Sequence, residues 1–335
     1  MLRLPKMDHI SPSTVKEACS LLEQNKGEAK VLAGGTDLLV ACKLRNIKPV
    51  LLVSMKRVQD LKGIVYQEGT GLRIGAMTNL SDVRYNPYIV KHYPALSQAA
   101  AAIGTPQLRE MATIGGNLCL NTRCIFYNQS DSWRRSRSVC FKMGGDLCHV
   151  VPKGKKCYAT FSGDIAPVLI AINAKVKLIS CSGERGIPVK DLYSGNGVDP
   201  LSLRTDEVLT EIIVPTPMEK QSSVYLKYRI RRAICFPLVG VGASVCSGSK
   251  GIGLDCRVVL TGVGSQPIIV PKTEPLFEGK TLTQELVYQI AEEATHAGNP
   301  VANTPGSTPS YRRRMAGILT RRALLALKKD LGIVQ

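Results

Sequence analysis

The sequence predicts an α+β protein of two or three domains, and three observations carry that expectation. The 335 residues, 44% of them hydrophobic, are enough for more than one core of ordinary composition. Short apolar runs of strand length alternate with stretches whose apolar residues recur at helical spacing. Pro215-Thr216-Pro217 interrupts the chain well past its middle, and successive prolines break both helix and ladder, so a linker is expected there. The first strand is followed by glycines, but not in the G-x-G-x-x-G order, which argues against a Rossmann domain.

From the start, Pro12 to Leu22 has helical spacing behind the start signal Ser11-Pro12-Ser13, and Lys30-Val31-Leu32 reads as a short buried strand. Ala33-Gly34-Gly35-Thr36-Asp37 follows and leads into a helical stretch from Leu38 to Lys43. A strand, a glycine pair and a helix start make an anion cradle, because N–H groups unshielded by Cβ atoms can close on a pyrophosphate. Asp37 would repel phosphate, so it is expected to cap the helix or reach a hydroxyl or amide. Taken alone, such a loop is more often only a turn. Pro49 to Val53 reads as a strand, and the change of character over Lys56 to Gly63 as a subdomain boundary.

Gly71 to Ala76 is a strand candidate, with Thr78-Asn79-Leu80-Ser81 capping a short helix. The alanine-rich Pro94 to Ile103 reads as a packed helix that delivers the chain to a second glycine turn, Thr113-Ile114-Gly115-Gly116-Asn117. Beyond an acidic turn at Gly163-Asp164, the runs Val168 to Ile172, Val176 to Ile179 and Val208 to Val214 read as strands. After the prolines come strands at Val224 to Ile230 and Cys256 to Gly262, a helix at Thr283 to Thr295, and a basic amphipathic helix from Tyr311 to Lys329. Cys235, Cys246 and Cys256 read as packing residues in apolar strands. There is no internal repeat, no low-complexity tract, and no defensible Ser-His-Asp arrangement among four histidines.

Five of the eleven cysteines, Cys119, Cys124, Cys140, Cys148 and Cys157, crowd the middle of the chain. The segment is polar and basic and would make a poor core, so a metal site is favoured over buried free thiols. Iron–sulfur clusters take four thiolates and little else. Structural zinc remains open, although its usual closely paired ligands are missing from the C-x15-C-x7-C-x8-C run that starts at Cys124. An odd total and the absence of a secretory segment weigh against disulfides. Spacing alone does not exclude Cys119.

The formal charge of +18 raises nucleic acid as a partner, but the basic residues are spread out and aromatics are only 5%, so a stacking platform is missing and no nucleic acid is expected. An acidic protein partner fits better. The densest basic patches, Arg134, Arg135 and Arg137, then Lys153, Lys155 and Lys156, lie among the cysteines and are expected to steer it. No apolar run approaches the roughly 20 residues that cross a bilayer. The start MLRLPKMDHISP lacks an apolar leader core, so no membrane and a cytoplasmic location are expected.

Three motifs, AGGTD (Ala33 to Asp37), QLREMATIGGNL (Gln107 to Leu118) and GDIAP (Gly163 to Pro167), resemble the FAD-binding medium subunit of the xanthine dehydrogenase and carbon monoxide dehydrogenase family of molybdenum hydroxylases. The likeness continues through YLKYRIRRA (Tyr225 to Ala233) and SYRRRMAGILTRRAL (Ser310 to Leu324), so it spans essentially the whole chain. The family pattern runs almost directly from GGN to the aspartate turn. The cysteine-bearing segment here is an addition that looks like the one in beta subunits of 4-hydroxybenzoyl-CoA reductases, which carry an extra 4Fe-4S cluster.

The resemblance implies an α+β fold: an FAD-binding domain of the vanillyl-alcohol-oxidase/PCMH type in two subdomains, 1–57 and 58–217, with an iron–sulfur insertion at about 119–160, then a CO dehydrogenase flavoprotein-like domain at 218–335. It puts the FAD diphosphate on Val31, Leu32, Ala33, Gly34, Gly35, Thr36, Asp37 and Leu38. Thr113, Gly115, Gly116 and Asn117 would line the other side, with Ile103 against the cofactor. Asp164 would accept hydrogen bonds from flavin-side hydroxyls, and Leu209 and Lys227 would lie beside the isoalloxazine. The cluster ligands would be Cys124, Cys140, Cys148 and Cys157.

Implied partners are a small 2Fe-2S subunit, a large molybdenum-cofactor subunit and an acidic ferredoxin donor, in a dimer of heterotrimers. The implied reaction is reductive dehydroxylation of an aromatic CoA thioester, with no catalytic residue in this chain. The alternatives are the FAD subunit of an NAD-linked molybdenum hydroxylase and, from a different class, a basic zinc-binding scaffold protein.

Overall fold

The computed structural model describes residues 3–248 and 251–333. They form three sheets in succession, each with helices laid against it. The first is a small parallel sheet in the order β1-β3-β2, from β1 (Asp8–Ile10), β2 (Ala29–Leu32) and β3 (Leu51–Ser54). Parallel neighbours need crossovers, supplied by α1 (Val15–Gln24) and α2 (Leu38–Lys43). Thr14, not the Ser-Pro-Ser signal itself, caps α1 by accepting from the Glu17 N–H.

The second sheet is antiparallel, in the order β4-β5-β8-β6-β7. Its strands are β4 (Ile64–Gln67), β5 (Gly71–Gly75), β6 (Lys175–Ser180), β7 (Gly183–Pro188) and β8 (Val208–Val214). Between β5 and β6 run α3 (Leu80–Tyr85), α4 (Pro87–His92), α5 (Pro94–Ala102), α6 (Pro106–Met111), α7 (Ile114–Leu118), α8 (Asp131–Arg135) and α9 (Ile165–Ala171). Most of the largest core gathers here, with Leu96, Ile114, Leu118, Phe161 and Ile165 fully enclosed.

The third sheet is antiparallel, β12-β11-β10-β9, made of β9 (Gln221–Tyr228), β10 (Val239–Ser247), β11 (Gly253–Thr261) and β12 (Ile268–Ile269). It carries α10 (Thr273–Phe277), α11 (Gln284–Ala297) and the long α12 (Pro309–Asp330). Arg312, fully buried on α12, donates to the carbonyls of Leu238, Val301 and Gly262 and so ties that helix to the sheet.

Three local expectations are corrected. Val168 to Ile172 is not a strand, because α9 covers Ile165–Ala171 with every residue buried, and a short apolar run enclosed on all sides carries no period to separate strand from helix. The second glycine segment is not an open turn. It forms α7, capped by Thr113, whose hydroxyl accepts from the Gly116 N–H at 3.1 Å. Cys235 lies in an irregular, partly exposed loop, whereas Cys246 and Cys256 are buried in β10 and β11.

Candidate functional site

The two glycine segments meet. Gly34 packs so closely on the backbone of Met111 and Ala112 that a Cβ there would overlap the Met111 carbonyl. Gly35 has φ +71°, the left-handed region that glycine tolerates. Gly115 lies against Ala76 in the same manner, while Gly116 faces Ala33 across a gap and is crowded only by the Thr113 hydroxyl. The loop after β2 and the segment leading into α7 therefore pack side by side where the first and second sheets meet.

A third segment joins them. Asn117 Oδ1 accepts from the Ile165 N–H at 3.2 Å, which docks the GDIAP segment onto α7. Next to it Asp164 is buried, and its carboxylate accepts from the Tyr225 hydroxyl at 2.5 Å and from Lys227 Nζ at 3.0 Å. Burial pushes the Asp164 carboxyl above its ordinary range, against the pull of Lys227 and the Tyr225 hydroxyl. Lys227 is no surface lysine, because its side chain is 4% exposed and Asp164's is 5%. Lys227 and Arg229 also donate to the Ala102 carbonyl, each at 3.0 Å, one residue before Ile103.

Asp164 thus spends its acceptor capacity on Tyr225 and Lys227 rather than on hydroxyls alone. Leu209 is buried in β8, paired with Leu178 in the core behind α7. Sequence reading missed Tyr225, Arg229 and Arg109, whose Nη1 donates to Ala101 O and, at 2.7 Å, to Ile103 O. The period of two along β9 puts Tyr225 on the same face as Lys227 and would have found it, with Arg229 just past the strand's end.

The insertion leaves this region through a narrow neck. Arg123 and Thr160 exchange two backbone hydrogen bonds of 2.7 Å each, and beyond them Cys124, Cys140, Cys148 and Cys157 line one small recess of about 20 Å³ together with Phe126, Tyr127, Lys142 and His149. Cys119 is not among them. It packs against the main core, and burial raises its thiol to about 12. The structure separates what spacing left open.

Burial also raises the Cys124 and Cys157 thiols, partly offset at Cys124 by the Tyr127 and Phe126 N–H groups and at Cys157 by the Ala159 N–H and Lys142. Lys142 is half-buried at the recess and donates to Asn121 Oδ1 (2.9 Å), Thr122 Oγ1 (2.7 Å) and Gly197 O (2.5 Å), all uncharged acceptors. Burial lowers its ammonium to about 8. A partly desolvated cation held only by neutral acceptors favours an anion beside it. Among the described residues no three His, Cys, Asp or Glu side chains converge tightly enough to hold a single metal ion.

Two further expectations change. Arg134 is not a surface group. It is buried and donates to Asn46 Oδ1, to Leu44 O at 3.0 Å and to Gln129 O at 2.5 Å, so it pins the insertion to the end of α2. Arg135 stays exposed beside Asp131, Arg137 stacks over Trp133, and Lys153, Lys155 and Lys156 are exposed. Asp37 does not cap α2; it pairs with Arg123. No helix among the described residues is long and apolar enough to cross a membrane.

Two glycine segments packed together beside a buried Asp164–Tyr225–Lys227 cluster fit a flavin-binding subunit of an oxidoreductase, and the family matches show that class. Residues 5–217 match the family described as the FAD binding domain in molybdopterin dehydrogenase, and residues 224–327 match the CO dehydrogenase flavoprotein C-terminal domain. The chain belongs to this family, the FAD-binding subunits of the molybdenum hydroxylases.

It is 29% identical to the carbon monoxide dehydrogenase medium chain of Hydrogenophaga pseudoflava over 96% of this chain and 97% of that one. It is 32% identical to the aldehyde oxidoreductase FAD-binding subunit PaoB of Escherichia coli K12 over 74% and 79% of the two chains. A solved structure of carbon monoxide dehydrogenase from Hydrogenophaga pseudoflava superposes with a TM-score of 0.80 at 27% identity, covering 98% of this chain and 99% of that one.

Proposed function

We propose that the chain is the FAD and 4Fe-4S subunit of a 4-hydroxybenzoyl-CoA reductase-like complex, serving reductive removal of a hydroxyl from an aromatic CoA thioester. Its partners in this reading are a small 2Fe-2S subunit and a large molybdenum-cofactor subunit, with an acidic ferredoxin as donor. A cytoplasmic location and a dimer of heterotrimers belong to the same reading.

One observation carries it: four cysteines line a single recess together with a half-buried lysine whose hydrogen-bond acceptors are all uncharged. That donor set fits a thiolate-bound, net anionic group, and four thiolates with no paired histidine match what an iron–sulfur cluster takes from a protein. Cys124, Cys140, Cys148 and Cys157 would hold the cluster, and Lys142 would offset its charge. FAD supplies two-electron chemistry that can be divided into single electrons, and a 4Fe-4S cluster supplies single-electron transfer.

The protein's own part is to hold both groups in place and to offer a partner the exposed basic rim of Arg135, Arg137, Lys153, Lys155 and Lys156. On the flavin side, the glycine segments and Thr36 would take the diphosphate, and Lys227, held by Asp164, would stand by the ring. Iron and acid-labile sulfide analysis of the purified complex tests the reading. About four of each per chain is expected, and one zinc without iron would end it.

A further inference from the structure

Asp37 ends the glycine loop assigned above to the FAD diphosphate, and a carboxylate at that place opposes an anionic ligand. Its side chain makes no cap hydrogen bond to α2. Its partner is Arg123, which immediately precedes Cys124 and pairs with Asp37 Oδ1 through Nη2. Three further contacts fix the arginine: its two backbone hydrogen bonds with Thr160, and the Phe236 ring with its centroid 4.7 Å from the guanidinium carbon. The side chains are 21% and 35% exposed, so neither charge is freely solvated.

We infer that Arg123 is a positioning residue of the flavin site. It neutralises Asp37, so that the loop turns only N–H groups and the Thr36 hydroxyl toward an anion, and it thereby makes the neck of the cysteine insertion part of the FAD pocket. The inference rests on the assignment of Ala33 to Asp37 to the diphosphate.

FAD titration of the full chain, stripped of flavin, tests it. Arg123→Gln is expected to weaken binding about tenfold or more, and adding Asp37→Asn is expected to return it to within about threefold of the parent, since no unpaired carboxylate then faces the ligand. The inference is overturned if Arg123→Gln binds FAD like the parent, or if the double variant stays as weak as the single one, which would leave the arginine only a strut of the neck. Thr36→Val separates this from the loop assignment. If neither it nor Arg123→Gln alters FAD affinity, the assignment fails. If only Thr36→Val weakens binding, the role of Arg123 alone fails. A parent chain free of iron would overturn the cluster reading and leave this result standing.

Discussion

Asp164 and Lys227 sit almost out of solvent, and each makes the other tolerable there. Lys227→Met leaves a carboxylate buried with only the Tyr225 hydroxyl, so the flavin-free chain should lose about 3 kcal/mol in urea unfolding, and Asp164→Asn in the same chain should recover most of it. At Gly116 the only crowding a Cβ would meet is the Thr113 hydroxyl, and toward Ala33 it would come into ordinary van der Waals contact, filling the space between the two segments. Gly116→Val should therefore keep its helical circular dichroism and lose FAD affinity by about 2 kcal/mol, read by flavin fluorescence.

Glu207 accepts from Arg185 at 2.7 Å through both carboxylate oxygens and from the Arg204 N–H. Those partners hold its carboxyl below the usual value of 4.5. The folded state binds fewer protons than the unfolded one, so this stability is fully present above about pH 4.5 and is lost as pH falls through the folded value. Glu207→Gln should flatten acid unfolding over that range, seen as a smaller loss of Tm between pH 5 and pH 3 (roughly the carboxylate window).

At the scale of elements, the insertion is anchored by side chains rather than by a sheet. Arg134 reaches the Leu44 carbonyl at the end of α2 and the Asn46 side-chain amide oxygen, and the Tyr127 hydroxyl donates to the Asn46 carbonyl at 2.6 Å. Arg134→Met strips several buried acceptors at once and should cost about 3 kcal/mol, measured as a fall in the unfolding midpoint. Helix α9 shows why an element type can be illegible. Enclosed between β10 and β11 of the third sheet and helices α5 and α7, it needed no polar face, and without a polar face the apolar run had no readable period.

Across the whole molecule, the glycine segments and the cysteine recess are joined by the neck but built from different residues. Cys148→Ser should lose iron yet keep FAD, because its loop is remote in sequence from both glycine segments. Combined flavin and iron analysis gives the answer, and loss of both would mean that the recess supports the flavin directly. Replacing Lys153, Lys155 and Lys156 by glutamate should slow reduction by an acidic ferredoxin about tenfold at low salt and much less at high salt, followed by stopped-flow absorbance.

The sequence by itself determined the chemistry available: glycine pairs able to admit an anion, cysteines in a polar segment, and the period-two strand that carries Lys227. Those are local properties of residue type and spacing. Tertiary structure alone decided which cysteine stands apart, that Arg134 is an anchor and not a docking group, and that Asp37 is answered by Arg123. Each of these depends on contacts between segments far apart in the chain, where burial sets the cost of a charge, and no local pattern encodes that burial.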